Sequence, residues 1–575
     1  MPARISKAIT VNRMIGYHAV VDALTREDVE FLFGIPGNPR VIYDQLYDVP
    51  RIRPILVRHE CSGVLMAMAY SRISGKTGVC FASPGPGVAN LVPGFLEAYY
   101  ACTPLVAPCP SASMENEGMG AFQECDQVGM LRPVTKWSVR VSRSDRISWF
   151  MHRAFSLAIN GKPGPVFLEI PSDIGFAEAE MPEYARAQRV LVRGDSDRIR
   201  EAIDFILKAE MPLIIAGGGV VLSRAYSELI QLAELIGAPV MTTPAGRGSI
   251  PEDHPLAVGQ VGLYRTKVGK QLQEQSDLII TVGSRNEEFQ SGAWTHLPEK
   301  AKYIQIDIDP FEIGRNWIAD IAIVGDAKLV LIDMIEGIDK MMKKRKLEEM
   351  PRVASIVRAK EEFEAEVENE CKTEAVPIKA KRIVRELNKV FGKDTIICHE
   401  NGMQDLWSYY FPYYKVLSLG DSFPPAEQTL MGMAVAGAIG AKLAAPKKKV
   451  VCTTGDGAFQ MFMKELPTAV QYKAPVTWVI LNNRSLGWVK YIQKLTNERF
   501  IATDFEAQPD FVKIAEANRC FGERVETPDA IELALKNALR ANAEGLPALV
   551  DMIVDPFDSP DGFREFHRDI WHMPA

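Results

Sequence analysis

Two short stretches, 24 residues apart, are the best placed to do chemistry. Gly455-Asp456-Gly457 closes one apolar run, and Asn482-Asn483 closes the next, residues 476–481. Two parallel strands joined by a crossover helix bring their C-terminal ends to the same edge of a sheet. Ligands of doubly wound sheets bind at that edge. Asp456 and Asn483 are therefore expected to converge. A carboxylate, an amide oxygen and a backbone carbonyl suit a hard divalent cation such as Mg2+, which keeps few protein ligands and fills its octahedron with water and phosphate oxygens. The glycines beside Asp456 let backbone N–H groups approach a phosphate, and the following helix start adds partial positive charge. The segment reads as a metal–diphosphate clamp. Either half alone is also an ordinary turn sequence; order, strand context and spacing together favour the clamp.

The same alternation of apolar strands and amphipathic stretches runs through most of the 575 residues, a length suited to about three domains. Residues 10–185 contain strand-like runs at 29–34, 78–83 and 165–171, the second closed by Pro84-Gly85-Pro86-Gly87. Residues 190–345 repeat the pattern at 212–219, 277–283 and 303–309. A charged helical linker is predicted over 346–376, a third α/β block over 377–555, and a C-terminal tail or lid over 556–575. Short apolar strands separated by helices imply α/β architecture: three doubly wound domains with mostly parallel sheets. The tail, with Phe563, Phe566 and Trp571, is either a disordered end or a flap over a site.

Composition excludes several classes of function. Hydrophobic residues make up 47% and charged residues 24%, and the net charge of -7 is spread along the chain, so no nucleic-acid surface is marked. Lys343-Lys344-Arg345 and Lys447-Lys448-Lys449 read as solvated runs. The nine cysteines form no CxxC pair, and Cys61, Cys80, Cys102 and Cys452 read as buried fillers in a reducing compartment. Residues 1–7 lack the apolar core of a signal peptide, and there is no apolar stretch of about 18 residues. The expectation is a cytoplasmic protein with no membrane partner.

The spacing of Gly455-Asp456-Gly457 and Asn482-Asn483 resembles the signature of thiamine diphosphate (ThDP)-dependent enzymes. The resemblance extends over nearly the whole chain in the order pyrimidine-binding, central and diphosphate-binding domain. It is nearest to the acetolactate synthase-like subgroup, which also holds benzoylformate decarboxylases, glyoxylate carboligases and 2-hydroxyacyl-CoA lyases. It implies that Asp456, Asn483 and the Ser485 carbonyl hold Mg2+. ThDP chemistry also needs a carboxylate to share a proton with the aminopyrimidine ring, so that the cofactor's C2 proton is lost and the ylide forms. His59-Glu60, before the small-residue helix Cys61 to Tyr70, is similar to the family's catalytic glutamate, so Glu60 takes that role.

Further likenesses distribute the remaining roles. Residues 33–38, with Pro36, Gly37 and Asn38, resemble the loop near the reacting carbon. Residues 83–90 resemble a Ser-Gly-Pro-Gly-x-x-Asn turn ending at Asn90, here with Pro84 inserted. Residues 120–124 resemble a segment in which Gln123 hydrogen-bonds substrate or cofactor while Phe122 lines the pocket or packs in the core. Gly402 and Gln404 align with diphosphate contacts. Thr429 and Met431 align with a backbone contact and with the methionine that bends ThDP, although Glu427 and Thr429 stand where the family has glycines. The resemblance also assigns cofactor contacts to Gly455, Gly457 and Ala458.

Trp488 and Tyr491 share a helix face and either line the substrate pocket or pack the core; Lys490 is either a solvated lysine or an attractor of acidic substrates. Gly217–Gly219, Arg285 and residues 261–266 leave FAD or another nucleotide open in the central domain. The implied activity is decarboxylation and carboligation of a 2-keto acid through an enamine. The alternative is a 2-hydroxyacyl-CoA lyase or oxalyl-CoA decarboxylase-like reaction, so the implied partners are a keto acid, an aldehyde or an acyl-CoA. A homodimer or homotetramer with active sites at the subunit interface is implied as well.

Overall fold

A computed structural model describes residues 11–38, 40–341, 346–496 and 498–567. The Lys343-Lys344-Arg345 run, residues 1–7 and Trp571 lie outside the described residues. The chain divides into two compact units, Met1–Val190 and Leu191–Ala575.

The first unit holds a six-stranded parallel sheet in the order Arg53–Leu56, Phe31–Gly34, Gly78–Phe81, Leu105–Ser111, Pro165–Pro171, Trp137–Arg140. A small antiparallel pair, Val11–Ile15 with Glu178–Pro182, closes it at its two chain ends. The central strands are buried on both faces, which is why they read as continuous apolar runs rather than alternating ones. Counted along the unit, the order is 2-1-3-4-6-5, so the winding reverses between Phe31–Gly34 and Gly78–Phe81. That reversal opens a crevice beyond the strand ends. A Cβ on Gly34 would stand 2.1 Å from the Phe81 carbonyl oxygen, so only glycine lets these two strands approach there.

The second unit carries two further six-stranded sheets, both entirely parallel. One runs Ala257–Gln260, Val240–Thr242, Pro212–Ala216, Leu278–Val282, Lys302–Asp307, Ile321–Val324, in the order 3-2-1-4-5-6. The other runs Ser422–Phe423, Thr395–His399, Lys449–Gly455, Thr477–Asn482, Ala548–Ile553, Phe521–Val525 and repeats the 2-1-3-4-6-5 order of the first unit. Its reversal falls between Thr395–His399 and Lys449–Gly455. The three mostly parallel sheets agree with the expected fold class.

The charged stretch forms the helix Pro351–Glu370. It is not solvated all round, since Val353, Ile356, Lys360 and Val367 are buried. The tail up to His567 is ordered against its own unit: Phe563 and Phe566 belong to the apolar core around the last sheet. Residues 556–567 are therefore not a loose end. Cys61, Cys80, Cys102 and Cys452 are buried free thiols, as expected. Among the described residues no helix is long and apolar enough to cross a membrane.

Candidate active site

In the first unit, the helix Glu60–Ser74 starts directly after the strand Arg53–Leu56 and its short exit turn. Glu60 is its first residue and is 9% exposed. The preceding His59 accepts the Cys61 N–H on Nδ1 at 3.2 Å and so caps the helix start. Asn90 donates from Nδ2 to Glu60 Oε2 at 2.9 Å, and a Cβ on Gly87 would lie 3.3 Å from the other carboxylate oxygen. Glu60, Gly87 and Asn90, far apart in sequence, therefore form one cluster.

The two loops at the sheet reversal meet as well. A Cβ on Gly37 would fall 1.6 Å from Ser83 Oγ. Gly85 has φ +67°, donates to Gln127 Oε1 at 2.8 Å, and lies against the backbone of Gln123, itself in the left-handed region at φ 61°. The inserted Pro84 is buried within this turn. Phe122 is 79% exposed, so the core-packing alternative is wrong for it. Pro36 and Asn38 are exposed in the same loop region.

In the second unit the predicted clamp residues stand at one sheet edge. Gly455 pairs in register with Leu481, so Asp456 and Asn482 leave adjacent strand ends side by side. Asp456 begins the helix Asp456–Phe462 and is 1% exposed. Among the described residues it has no cationic partner, and burial pushes its carboxyl up to about 7. Gln508 donates from Nε2 to its Oδ2 at 2.6 Å. Asn483 accepts from Ser485 N (2.9 Å) and Ser485 Oγ (3.2 Å) on Oδ1, and donates from Nδ2 to Gln404 Oε1 at 2.7 Å. Gln404 in turn donates to the carbonyl of Pro556 at 3.1 Å, tying this edge to the tail.

Gly457 is hemmed in by Leu486 and Phe505, and Gly402 by Asp405, whose Oδ2 would lie 2.4 Å from an added Cβ. Asp405 is fully buried, and burial together with Asp456 raises its carboxyl to about 7. Beside it, burial and Asp405 hold Glu400 well above the carboxylate range, although it accepts the Gly432 and Ala434 N–H groups at 3.1 and 2.7 Å. This edge thus gathers three buried carboxylates with no cation among the described residues. The donor set of a carboxylate and an amide oxygen fits a divalent cation, whose charge would offset the repulsion.

Thr429 keeps the positive φ, 48°, that a glycine would supply more cheaply, so the backbone conformation survives the substitution at a cost of about 1 kcal/mol or more. Met431 is 37% exposed, at the turn before the helix Met433–Ala444. Glu427 accepts the Phe289 N–H at 2.8 Å; burial first, and then Glu287, raise its carboxyl to about 7. Trp488 and Tyr491 do share a face, and both pack against Phe563 of the tail, with ring centroids 4.7 and 5.3 Å away. Lys490 is ion-paired with Asp504.

The central glycine run serves close packing. A Cβ on Gly217 would lie 2.1 Å from the Gly283 carbonyl oxygen, and one on Gly219 would lie 2.7 Å from Gly283 Cα. Arg285 is paired with Glu287 at 3.0 Å. Gln508, Asp405 and Phe505 were not singled out by the sequence. Only the Asp510 helix cap two residues after Gln508 is a readable signal there.

Comparison with known proteins decides the family. The chain matches the thiamine pyrophosphate enzyme N-terminal TPP binding domain over residues 14–130, the central domain over 199–334 and the C-terminal TPP binding domain over 401–552. It is 36% identical over 559 residues to a probable acetolactate synthase large subunit of Methanococcus aeolicus, covering 94% of this chain and 92% of the relative. It is likewise 36% identical over 564 residues to that of Methanocaldococcus jannaschii, covering 95% and 93%. Against the acetolactate synthase isozyme 3 large subunit of Escherichia coli it is 32% identical over 550 residues, covering 94% and 95%.

The chain belongs to the thiamine diphosphate-dependent enzymes, in the acetolactate synthase-like subgroup. It is thus a ThDP-dependent enzyme of carbon–carbon bond formation. The two TPP binding domains of the family fall on the two sheets that share the order 2-1-3-4-6-5, and the family's central domain falls on the 3-2-1-4-5-6 sheet. The acyl-CoA alternative is not favoured by these relatives.

Proposed function

We propose that this enzyme decarboxylates a 2-keto acid and joins the remaining fragment to a second carbonyl compound, as the names of its relatives suggest. The observation that supports the reading best is the Glu60–Asn90 pair: a buried carboxylate held by a neutral amide at a helix start. ThDP supplies, when bound, an acidic carbon that becomes the nucleophile and an electron sink for decarboxylation.

In this reading Glu60 exchanges a proton with the aminopyrimidine ring, and Asn90 keeps it facing that ring. Pro36, Gly37 and Asn38 flank the reacting carbon. Asp456, the Asn483 amide oxygen and the Ser485 carbonyl hold Mg2+; Gly402, Gln404, Gly455, Gly457 and Ala458 lie along the diphosphate. Met431 would support the bound cofactor, and the Thr429 carbonyl would contact it. Gln123 and Phe122 orient the keto acid. Trp488 and Tyr491 shape the acceptor side through Phe563 and exclude water together with the tail. Ligation is redox-neutral, so FAD or another nucleotide at the central sheet carries no step in this reading.

We propose further that the enzyme works as a homodimer or homotetramer in the cytoplasm. Sedimentation at assay concentration tests the first point; an active monomer would count against it. Product analysis with pyruvate, glyoxylate, formyl-CoA plus aldehyde, and oxalyl-CoA tests the reaction. Consumption of a free keto acid is expected; turnover of acyl-CoA alone would overturn the reading.

A further inference from the structure

We propose that Gln508 is a positioning residue for the cation site, fixing the carboxylate of Asp456 in the orientation that leaves its remaining lone pairs to a divalent cation. The inference rests on the proposed role of Asp456 as a cation ligand.

A chain of hydrogen bonds sets the direction of every amide. Arg524 donates from Nε to Asp551 Oδ2 at 3.0 Å. Asp551, buried on the strand Ala548–Ile553, accepts on Oδ1 from Asn482 Nδ2 at 2.8 Å. The Asn482 Oδ1 accepts the Arg484 N–H at 3.2 Å. A carboxylate on one side and a backbone N–H on the other leave Asn482 one orientation. Its second amide hydrogen then points to Gln508 Oε1, at 3.1 Å. Gln508 must in consequence present its own N–H to Asp456 Oδ2, at 2.6 Å. Flipping either amide would set acceptor against acceptor.

Gln508 is held from behind as well. Asp510 caps the helix Phe511–Ala517 by accepting the Val512 and Lys513 N–H groups at 3.2 and 3.3 Å, and it also accepts from Arg524 at 3.2 Å. The side chain of Gln508 has no part in that cap. Among the described residues its side-chain hydrogen bonds go to Asn482 and Asp456. A donor on one oxygen of a ligating carboxylate fixes its rotation, and loss of such a partner commonly weakens metal binding about 10–100-fold.

The test is Mn2+ binding by full-length protein at saturating ThDP, with free Mn2+ read by electron paramagnetic resonance, for wild type, Gln508→Met, Gln508→Glu and Asp456→Asn. Methionine keeps the length but has no donor; glutamate at neutral pH turns an acceptor to Asp456. Both are expected to raise the Mn2+ Kd about tenfold or more, while the melting temperature of the metal-free Gln508→Met protein stays within about 2 °C. Asp456→Asn is expected to abolish tight binding. If Asp456→Asn loses Mn2+ and both Gln508 variants bind as wild type, or weaken binding only in proportion to a fall in metal-free stability, the positioning role is wrong and the cation site stands. If Asp456→Asn binds Mn2+ like wild type, the cation site itself is wrong, and this inference falls with it.

Discussion

Asn90 Nδ2 stands 2.9 Å from Glu60 Oε2, so the buried carboxylate at the start of Glu60–Ser74 is held by a neutral amide. The amide orients the carboxylate without placing a charge beside it. Glu60→Gln keeps the size and the hydrogen bonding but removes the proton exchange. Turnover is expected to fall about 100-fold or more, with the melting temperature within about 2 °C of wild type. Steady-state kinetics beside a thermal melt check this.

The approach of Gly37 to Ser83 sets the loop pair at the sheet reversal. A Cβ at 37 would fall 1.6 Å from Ser83 Oγ and 2.9 Å from its Cβ. Gly37→Ala is expected to cost about 1–3 kcal/mol, and Ser83→Gly in the same chain to recover most of that loss. A double-mutant cycle by denaturant unfolding reads the coupling; additive losses would show that the two loops do not meet as described.

Glu427 makes stability depend on pH. Its carboxyl is raised from 4.5 to about 7, by burial first and then by Glu287. Below about pH 4.5 it is protonated in both folded and unfolded chains and contributes nothing. Between about 4.5 and 7 the unfolded chain loses the proton and the folded one keeps it, so folding is progressively disfavoured, and the cost is constant above 7. Glu427→Gln still accepts the Phe289 N–H. It is expected to stabilise by about 3 kcal/mol at pH 8 and hardly at all at pH 4.5. Urea midpoints at the two pH values decide it; equal gains at both would contradict the assignment.

Much of this was legible in the sequence because strand ends announce themselves. Gly455-Asp456-Gly457 and Asn482-Asn483 each close an apolar run, and parallel pairing alone brings them to one edge. His59-Glu60 likewise marks a strand exit and a helix start. What stayed hidden depends on loops. Gln508 reaches Asp456 across 52 residues from a loop position that no strand or helix pattern marks. Asp405 is an unremarkable carboxylate in sequence and becomes unusual only through complete burial. The packing of residues 556–567 was also hidden: Phe563, Phe566 and Trp571 leave a flap or a loose end open in sequence, and only the fold brings Phe563 against Trp488. The glycines at 217–219 look like a phosphate loop, whereas contact with Gly283 accounts for two of them.

Phe563 is fully buried against Trp488 and Tyr491. Phe563→Ala is expected to cost about 3–5 kcal/mol locally and to loosen residues 556–567 from the helix Gly487–Thr496. Hydrogen exchange in 556–567 should rise and tryptophan emission should shift to the red. Unchanged exchange would mean that the tail is anchored elsewhere.

On the proposed function, this chain uses ThDP to decarboxylate and ligate a free 2-keto acid. The most direct measurement is 13C NMR of labelled pyruvate incubated with the full-length protein, ThDP and Mg2+, beside the Glu60→Gln variant. Release of CO2 with formation of a new carbon–carbon bond in the product is expected, dependent on ThDP and lost with Glu60. Unchanged pyruvate, and likewise unchanged glyoxylate and longer 2-keto acids, in protein shown to bind ThDP would contradict it.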